Sequence, residues 1–247
     1  MRRLLHLTDT HIDADAAARF DGMDTRASFA RTLAAARAEG AHGLVLGGDL
    51  SMDGSAASYR WLAAQLATLD LPWWAVPGNH DDPQAWPGTG GSAFGVLPRI
   101  VALSPWRLLL LSTRVAGEPG GLLGAAQLEW LGQALATAHA GYDLVVMHHP
   151  PLAVDSPWID AMGLADAAGF WDCLARPHRV RAVICGHVHQ VFERVRGPLR
   201  VLTTPSTCVQ FLPRARRYAT DPRAPAYRVL DLGDDGSLAT RVARVGA

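Results

Sequence analysis

The chain of 247 residues is 49% hydrophobic and 19% charged, and its 23 basic and 23 acidic residues leave a formal net charge of +0. That composition excludes a disordered tail, a collagen-like repeat and a coiled coil, and it leaves no electrostatic footprint for nucleic acid or an anionic membrane surface. Every basic residue is an arginine, so lysine nucleophiles and Schiff bases are excluded as well.

Taken in chain order, short apolar runs alternate with amphipathic stretches. Residues 3–7 read as a buried strand. Residues 24–39 read as a helix, capped by Asp24 or Thr25 and stopped at Gly40. A strand over 43–46, a helix over 56–69 and a strand over 73–76 come next. Residues 100–103 and 106–111 read as two strands joined by a Ser-Pro turn. Then come a helix over 124–138, a strand over 144–147, a helix over 164–174 and a strand over 182–185. Residues 191–203, broken at Gly197-Pro198, read as a hairpin, and 227–232 with 238–245 as two last strands. Strands alternating with helices predict an α/β protein, with antiparallel strands added by the late hairpins. No linker or repeat interrupts the pattern, so one domain over 1–247 is expected. Residues 87–95 and 212–225 lack a pattern and are expected to be mobile loops. Trp61, Trp130 and Trp171 fall on helical patterns and are expected in the core.

Cys173, Cys185 and Cys208 are odd in number and widely spaced, unlike a disulfide framework or a zinc knuckle. The opening Met1-Arg2-Arg3-Leu4-Leu5 begins like a signal peptide, but the apolar stretch stops at Thr8-Asp9, short of the ~7–15 residues required. No run approaches the ~18 apolar residues of a membrane span. A soluble cytoplasmic protein is the expectation.

The residues at the strand ends carry the chemistry. The first strand ends in Asp9-Thr10-His11 and the second in Gly47-Gly48-Asp49. The third ends in Pro77-Gly78-Asn79-His80-Asp81, the strand at 144–147 in His148-His149-Pro150-Pro151, and that at 182–185 in Gly186-His187-Val188-His189. In an open α/β sheet, ligands bind outside the carboxyl ends of the strands. Each piece alone is weak, because an Asp after a strand is often a helix cap and Gly-Asn-His-Asp alone is a turn. Five such pieces in order, each at a strand end, are a metal-site signal. The donors are oxygen and nitrogen without thiolate, which suits Fe, Mn, Zn or Co. They exceed what one ion holds and suffice for two if a carboxylate bridges. Two divalent ions against two aspartates and a hydroxide leave the site slightly positive, matched to a phosphodiester anion. His6, His42, His139 and His178 are expected to be structural, Asp13 and Asp15 to be loop charges, and Arg214, Arg216 and Arg217 to be a solvated loop.

Together, D-x-H, G-G-D, G-N-H-D, H-H-P-P and G-H-V-H resemble the calcineurin-like metallophosphoesterase superfamily over residues 4–205. The resemblance implies a four-layer αββα sandwich of two mixed sheets around a dinuclear centre. It assigns Asp9, His11, Asp49 and His189 to one metal, and Asp49, Asn79, His148 and His187 to the other, with Asp49 bridging. It makes His80 the catalytic histidine, placed to protonate a leaving alkoxide or to bind a phosphoryl oxygen. It puts Asn79, His80 and His149 at the substrate, and Asp81 either orients His80 or caps a helix. Cys185-Gly186-His187-Val188-His189-Gln190 and the run Thr204–Phe211 are similar to the bacterial class III 3′,5′-cyclic AMP phosphodiesterases, as are Gly22–Thr25, Gln127–Leu131 and Ser156–Asp160. The implied reaction is hydrolysis of cyclic AMP to 5′-AMP by a hydroxide shared between two metal ions. The alternative is another phosphodiester such as a glycerophosphodiester. Either partner is a small molecule, and no nucleic acid or membrane partner is expected. Trp158, Phe211 and His149 are the candidates to meet a base.

Overall fold

The computed structural model describes residues 1–87, 94–175 and 179–246. Strands β1 (Arg2–Leu7), β2 (Gly43–Leu46) and β3 (Trp73–Ala75) alternate with helices α1 (Thr25–Arg37) and α2 (Ala56–Leu66). Next come β4 (Arg99–Leu103), β5 (Trp106–Leu110), α3 (Gly124–Ala136), β6 (Tyr142–Val146), α4 (Pro157–Asp160), α5 (Ala167–Cys173) and β7 (Val180–Cys185). The chain closes with β8 (Phe192–Arg196), β9 (Leu199–Thr203), β10 (Gln210–Phe211), β11 (Thr220–Asp221), β12 (Ala226–Leu232) and β13 (Leu238–Arg244). One sheet has the order β13-β12-β1-β2-β3 and the other β4-β5-β6-β7-β9-β8. Both are mixed: β1-β2-β3 and β5-β6-β7-β9 run parallel, while β12, β13, β4 and β8 pair antiparallel.

The period-2 alternation of side chains turns the two sheets into four layers. Leu5, Leu7, Leu44 and Leu46 point out to Phe29 and Leu33 of α1 and to Tyr59 and Leu62 of α2. Their neighbours Leu4 and Val45 point the other way, against Leu108, Leu110, Leu144, Val146, Ala182 and Ile184 of the second sheet. That sheet's alternate residues, Leu109, Val145, Val183 and Cys185, pack on Leu131 of α3 and Phe170 of α5. The order is helix, sheet, sheet, helix. Strands buried on both faces read as continuous apolar runs, and those runs made the elements legible. Trp61, Trp130 and Trp171 are half-buried and pack against these clusters as expected.

Several boundaries differ from the sequence reading, each for a local reason. Asp24 is the N-cap of α1, accepting from the Ala27 amide at 2.9 Å. The helix expected over 56–69 tightens after Leu66 into a 3-10 turn, Ala67–Leu69, and ends at Asp70 with φ +52°. The helix expected over 124–138 ends at Ala136, where Thr137 turns extended. The helix expected over 164–174 starts at Ala167, because Leu164 is held in a bridge to Gly121. Asp166 spends its carboxylate on the amides of Leu123 and Gly124, at 3.0 and 2.8 Å, at the start of α3. Helix α4 has no counterpart in the sequence pattern.

The segment 212–225 is a loop, as expected, apart from the two-residue strand β11. The segment folds back so that β11 pairs with β10, the Leu212 amide reaches the Ala219 carbonyl at 2.8 Å, and the Arg214 amide reaches Ser156 Oγ at 2.8 Å. Its arginines Arg214, Arg216 and Arg217 are exposed, as expected. Of the loop expected at 87–95, residues 88–93 lie outside the described residues, as does His178. Phe94 is buried against Tyr59, Trp73 and Trp86. Among the described residues no helix is long and apolar enough to cross a membrane.

Candidate metal centre

The five strand ends meet. Asp9 and His11 come after β1, Asp49 after β2, Asn79 and His80 after β3, His148 and His149 after β6, and His187 and His189 after β7. His11 Nε2 lies 3.2 Å from His189 Nε2, and His189 Nε2 lies 3.3 Å from Asp9 Oδ1. His187 Nδ1 lies 3.2 Å from Asn79 Oδ1. Asp49 Oδ2 is common to both groups, 3.7 Å from His11 Nε2 and 3.4 Å from His148 Nε2. Two metal bonds of about 2.1 Å bring donor atoms roughly 3–3.5 Å apart, and these separations fit ligands of shared ions. Two imidazole nitrogens facing each other gain little without a cation or proton between them. His148 Nε2, His187 Nε2 and His11 Nδ1 are buried with no hydrogen-bond partner among the described residues, an arrangement otherwise rare for buried polar atoms. The His148 nitrogen is the one turned to the aspartates, and a metal ion is the partner it fits.

The surrounding chain aims these atoms. His148 Nδ1 donates to the Gly47 carbonyl and His189 Nδ1 to the Val209 carbonyl, each at 2.7 Å. A carbonyl only accepts, so Nδ1 holds the proton and Nε2 keeps its lone pair for the centre. Asp49 Oδ1 accepts the His80 amide at 2.9 Å, which leaves Oδ2 for the cluster. Asp9 accepts the His187 amide and the Thr8 hydroxyl.

The field in the cluster sorts its side chains by charge. Burial pushes the His11 and His149 imidazoles down to about 3 and His187 well below its usual range, so all three stay neutral. Burial would also lower His148, but Asp49 and then Asp9 overcome it and raise this imidazole to about 9, so Nε2 carries a proton at neutral pH that a bound cation displaces. Burial opposes ionisation of Asp9 and Asp49, and their histidine neighbours reverse it, holding both below the ordinary carboxylate value. The cluster is a concentrated negative charge that attracts a cation.

The backbone is also strained there. Asp9, His11, Asp49, His187 and His189 have φ of +53°, +44°, +48°, +70° and +47°. Left-handed backbone costs a non-glycine residue about 1–2 kcal/mol, less for Asp and His, and such strain clusters at functional sites. Gly186 is required by close approach: a Cβ would meet Thr8 Oγ1, Asp9 Oδ2 at 2.8 Å and the Gly47 carbonyl at 2.9 Å. Gly186→Ala is therefore expected to displace Asp9 and cost about 1–3 kcal/mol. Thermal unfolding together with metal stoichiometry checks this, and an unchanged melting temperature with full metal content would contradict it.

Two expectations meet different surroundings. Asp81 neither orients His80 nor caps a helix. It is buried and accepts from the amides of Leu50, Ser51 and Gly78 and from the Tyr59 hydroxyl at 2.8–3.1 Å, tying the loop after β2 to that after β3. His149 is buried beside His187, with ring centroids 4.3 Å apart. Its Nδ1 faces Thr113 Oγ1 at 2.7 Å and its Nε2 the Pro119 carbonyl at 3.1 Å, so both nitrogens are engaged within the protein. His80 is exposed at the rim, its ring edge-on to His11 at 4.9 Å. His6, His42 and His139 stand outside the cluster, bonded to Thr204, Arg3 and Asp143.

A cavity of about 390 Å³ opens over the cluster, with Phe20, Trp158, Phe211 and Tyr218 on one wall. Trp158 and Phe211 are expected there from the sequence, whereas Phe20, Asp21 and Tyr218 are not. The sequence signal for Phe20 and Tyr218 is an aromatic residue beside a turn, and Asp21 carries none.

The class defined by this sandwich and its strand-end donors has a family model. The chain belongs to the calcineurin-like phosphoesterase family, whose model matches residues 2–191. It is similar to the 3′,5′-cyclic adenosine monophosphate phosphodiesterase CpdA of Pseudomonas aeruginosa, 41% identical over 98% of this chain and 89% of that protein. The protein of the same name from Escherichia coli K12 is 36% identical over 98% of this chain and 90% of its own length. In fold it resembles a dimetal phosphatase from Danio rerio, with a TM-score of 0.69 at 13% identity, covering 99% of each chain.

Proposed function

We propose that this chain is a dinuclear-metal phosphodiesterase that hydrolyses 3′,5′-cyclic nucleotides, cyclic AMP to 5′-AMP. One observation carries the reading: Asp49 Oδ2 stands between two donor groups, within 3.7 Å of His11 Nε2 and 3.4 Å of His148 Nε2. Asp9, His11, Asp49 and His189 hold one ion. Asp49, Asn79, His148 and His187 hold the other. Two bound ions supply Lewis acidity and a water-derived nucleophile at neutral pH. Asn79, as a neutral ligand, keeps its ion more acidic than a third carboxylate would. His80, exposed at the rim beside His11, donates a proton to the departing 3′-oxygen or a hydrogen bond to the phosphoryl group. The substrate class is supported by the relatives named for cyclic AMP and by the aromatic wall beside the cluster.

Exhaustive chelation is expected to abolish turnover of cyclic AMP and of bis-p-nitrophenyl phosphate, with recovery on adding Mn²⁺. Activity that survives chelation overturns the metal reading. A higher kcat/KM for glycerophosphocholine than for cyclic AMP overturns the substrate reading.

A further inference from the structure

We propose that the aromatic wall is a base-binding subsite and that Asp21, at its mouth, accepts a hydrogen bond from an amino group on the edge of the base. The inference rests on the phosphodiesterase reading above and narrows its substrates to nucleotides whose base carries an amino group, as adenine does.

The wall is assembled from distant segments and starts at the cluster itself. Phe211 of β10 lies stacked on His189, with centroids 3.9 Å apart and planes 6° apart. Trp158 of α4 meets Phe211 edge to face at 5.1 Å, and Tyr218, in the turn between β10 and β11, meets Phe211 at 5.4 Å and Trp158 at 5.3 Å. Phe20 closes the side next to His11, at 4.9 Å. All four face the cavity of about 390 Å³, a volume within the range of small-molecule pockets. A phosphate engaged at His189 thus has a flat apolar surface within two ring contacts. Every nucleobase has a π-face that can stack on such a surface.

Stacking alone does not choose a base, but the mouth adds a directional group. The Tyr218 hydroxyl donates to Asp21 Oδ2. Asp21 sits in a turn closed by mutual backbone bonds between Phe20 and Met23, at 3.0 and 2.9 Å, with φ +45° at Asp21 and +78° at Gly22. Tyr218 and Asp21 both line the cavity. With Oδ2 taken, Oδ1 is uncommitted among the described residues, and a carboxylate oxygen can only accept. Its complement at the far edge of a stacked base is an N–H donor, which the 6-amino group of adenine supplies.

The test uses the metal-loaded full chain and three substrates: cyclic AMP, purine riboside 3′,5′-cyclic phosphate (adenine without its amino group), and the methyl riboside 3′,5′-cyclic phosphate, which has no base. Trp158→Leu is expected to raise KM for cyclic AMP about tenfold or more with little change in kcat. Its loss should be at least about tenfold larger for cyclic AMP than for the base-free substrate. Asp21→Asn keeps a partner for Tyr218 but turns an amide N–H₂ toward the base, and is expected to erase the preference for cyclic AMP over purine riboside cyclic phosphate. The affinity for 5′-AMP, read by isothermal titration calorimetry, should rank the proteins in the same order without turnover. Equal kcat/KM of the wild type on cyclic AMP and the base-free substrate, or variants that lower all three substrates equally, overturns the subsite. Failure of the wild type on all three overturns the phosphodiesterase reading itself.

Discussion

Asp49→Asn is expected to lower kcat on cyclic AMP by about 10³-fold or more and to leave at most one firmly held metal ion per chain. The substitution is close to isosteric. The oxygen of the introduced carboxamide can still accept the His80 amide that Asp49 now accepts at 2.9 Å, so the loop keeps its anchor. What changes is the atom between the two donor groups, where an amide nitrogen replaces Oδ2 and offers a proton instead of a lone pair. His11 and His148, at 3.7 and 3.4 Å, then face a donor, and one negative charge leaves a cluster that needs it. Loss of the two-ion clamp on the phosphoryl group is worth several kcal/mol, and each ~1.4 kcal/mol is tenfold in rate. Metal analysis and steady-state kinetics on the same preparation decide the matter. Two ions per chain with kcat within tenfold of wild type would remove Asp49 from the shared position. Circular dichroism separates this from misfolding.

The candidate site was legible because its information is local. Each ligand comes after a strand whose apolar run announces it, and parallel strands deliver their ends to one edge. Leu4 and Val45 pointing to one face and Leu5 and Leu44 to the other reflect the same short runs. The features that could not be read depend on partners far apart in sequence. Asp81 looks like a companion of His80, yet its carboxylate serves Leu50 and Ser51, 31 and 30 residues away. Tyr218 lies in a stretch rich in Arg, Pro and Asp that reads as a surface loop, and its hydroxyl partner Asp21 is 197 residues away. The left-handed backbone of Asp9, His11, Asp49, His187 and His189 was also hidden, because Asp and His tolerate that conformation without requiring it. The strain survives because the hydrogen bonds of His148 to Gly47 and of His189 to Val209 and the apolar layers beneath over-determine the loops.

His80→Ala is expected to lower kcat on cyclic AMP by about 10²–10⁴-fold, the span of general acid catalysis, with metal content and KM little changed. The backbone supports this separation. It is the His80 amide that holds Asp49 Oδ1, and alanine keeps that amide, while the exposed ring at the rim is free to meet a substrate. Asp81, committed to the backbone amides and the Tyr59 hydroxyl behind it, does not tune the ring, so Asp81→Asn belongs to stability and not to proton transfer. The leaving group discriminates between the two roles open to His80. The 3′-oxygen of ribose departs as a poor alkoxide and needs a proton, whereas p-nitrophenolate is stable as an anion near neutral pH. If His80 is the acid, the variant's loss is large on cyclic AMP and small on bis-p-nitrophenyl phosphate. If it binds a phosphoryl oxygen, both substrates suffer alike, because that contact is made to the transition state of either. Near-wild-type turnover of both by a metal-replete His80→Ala protein would leave the rim histidine with no part in the reaction.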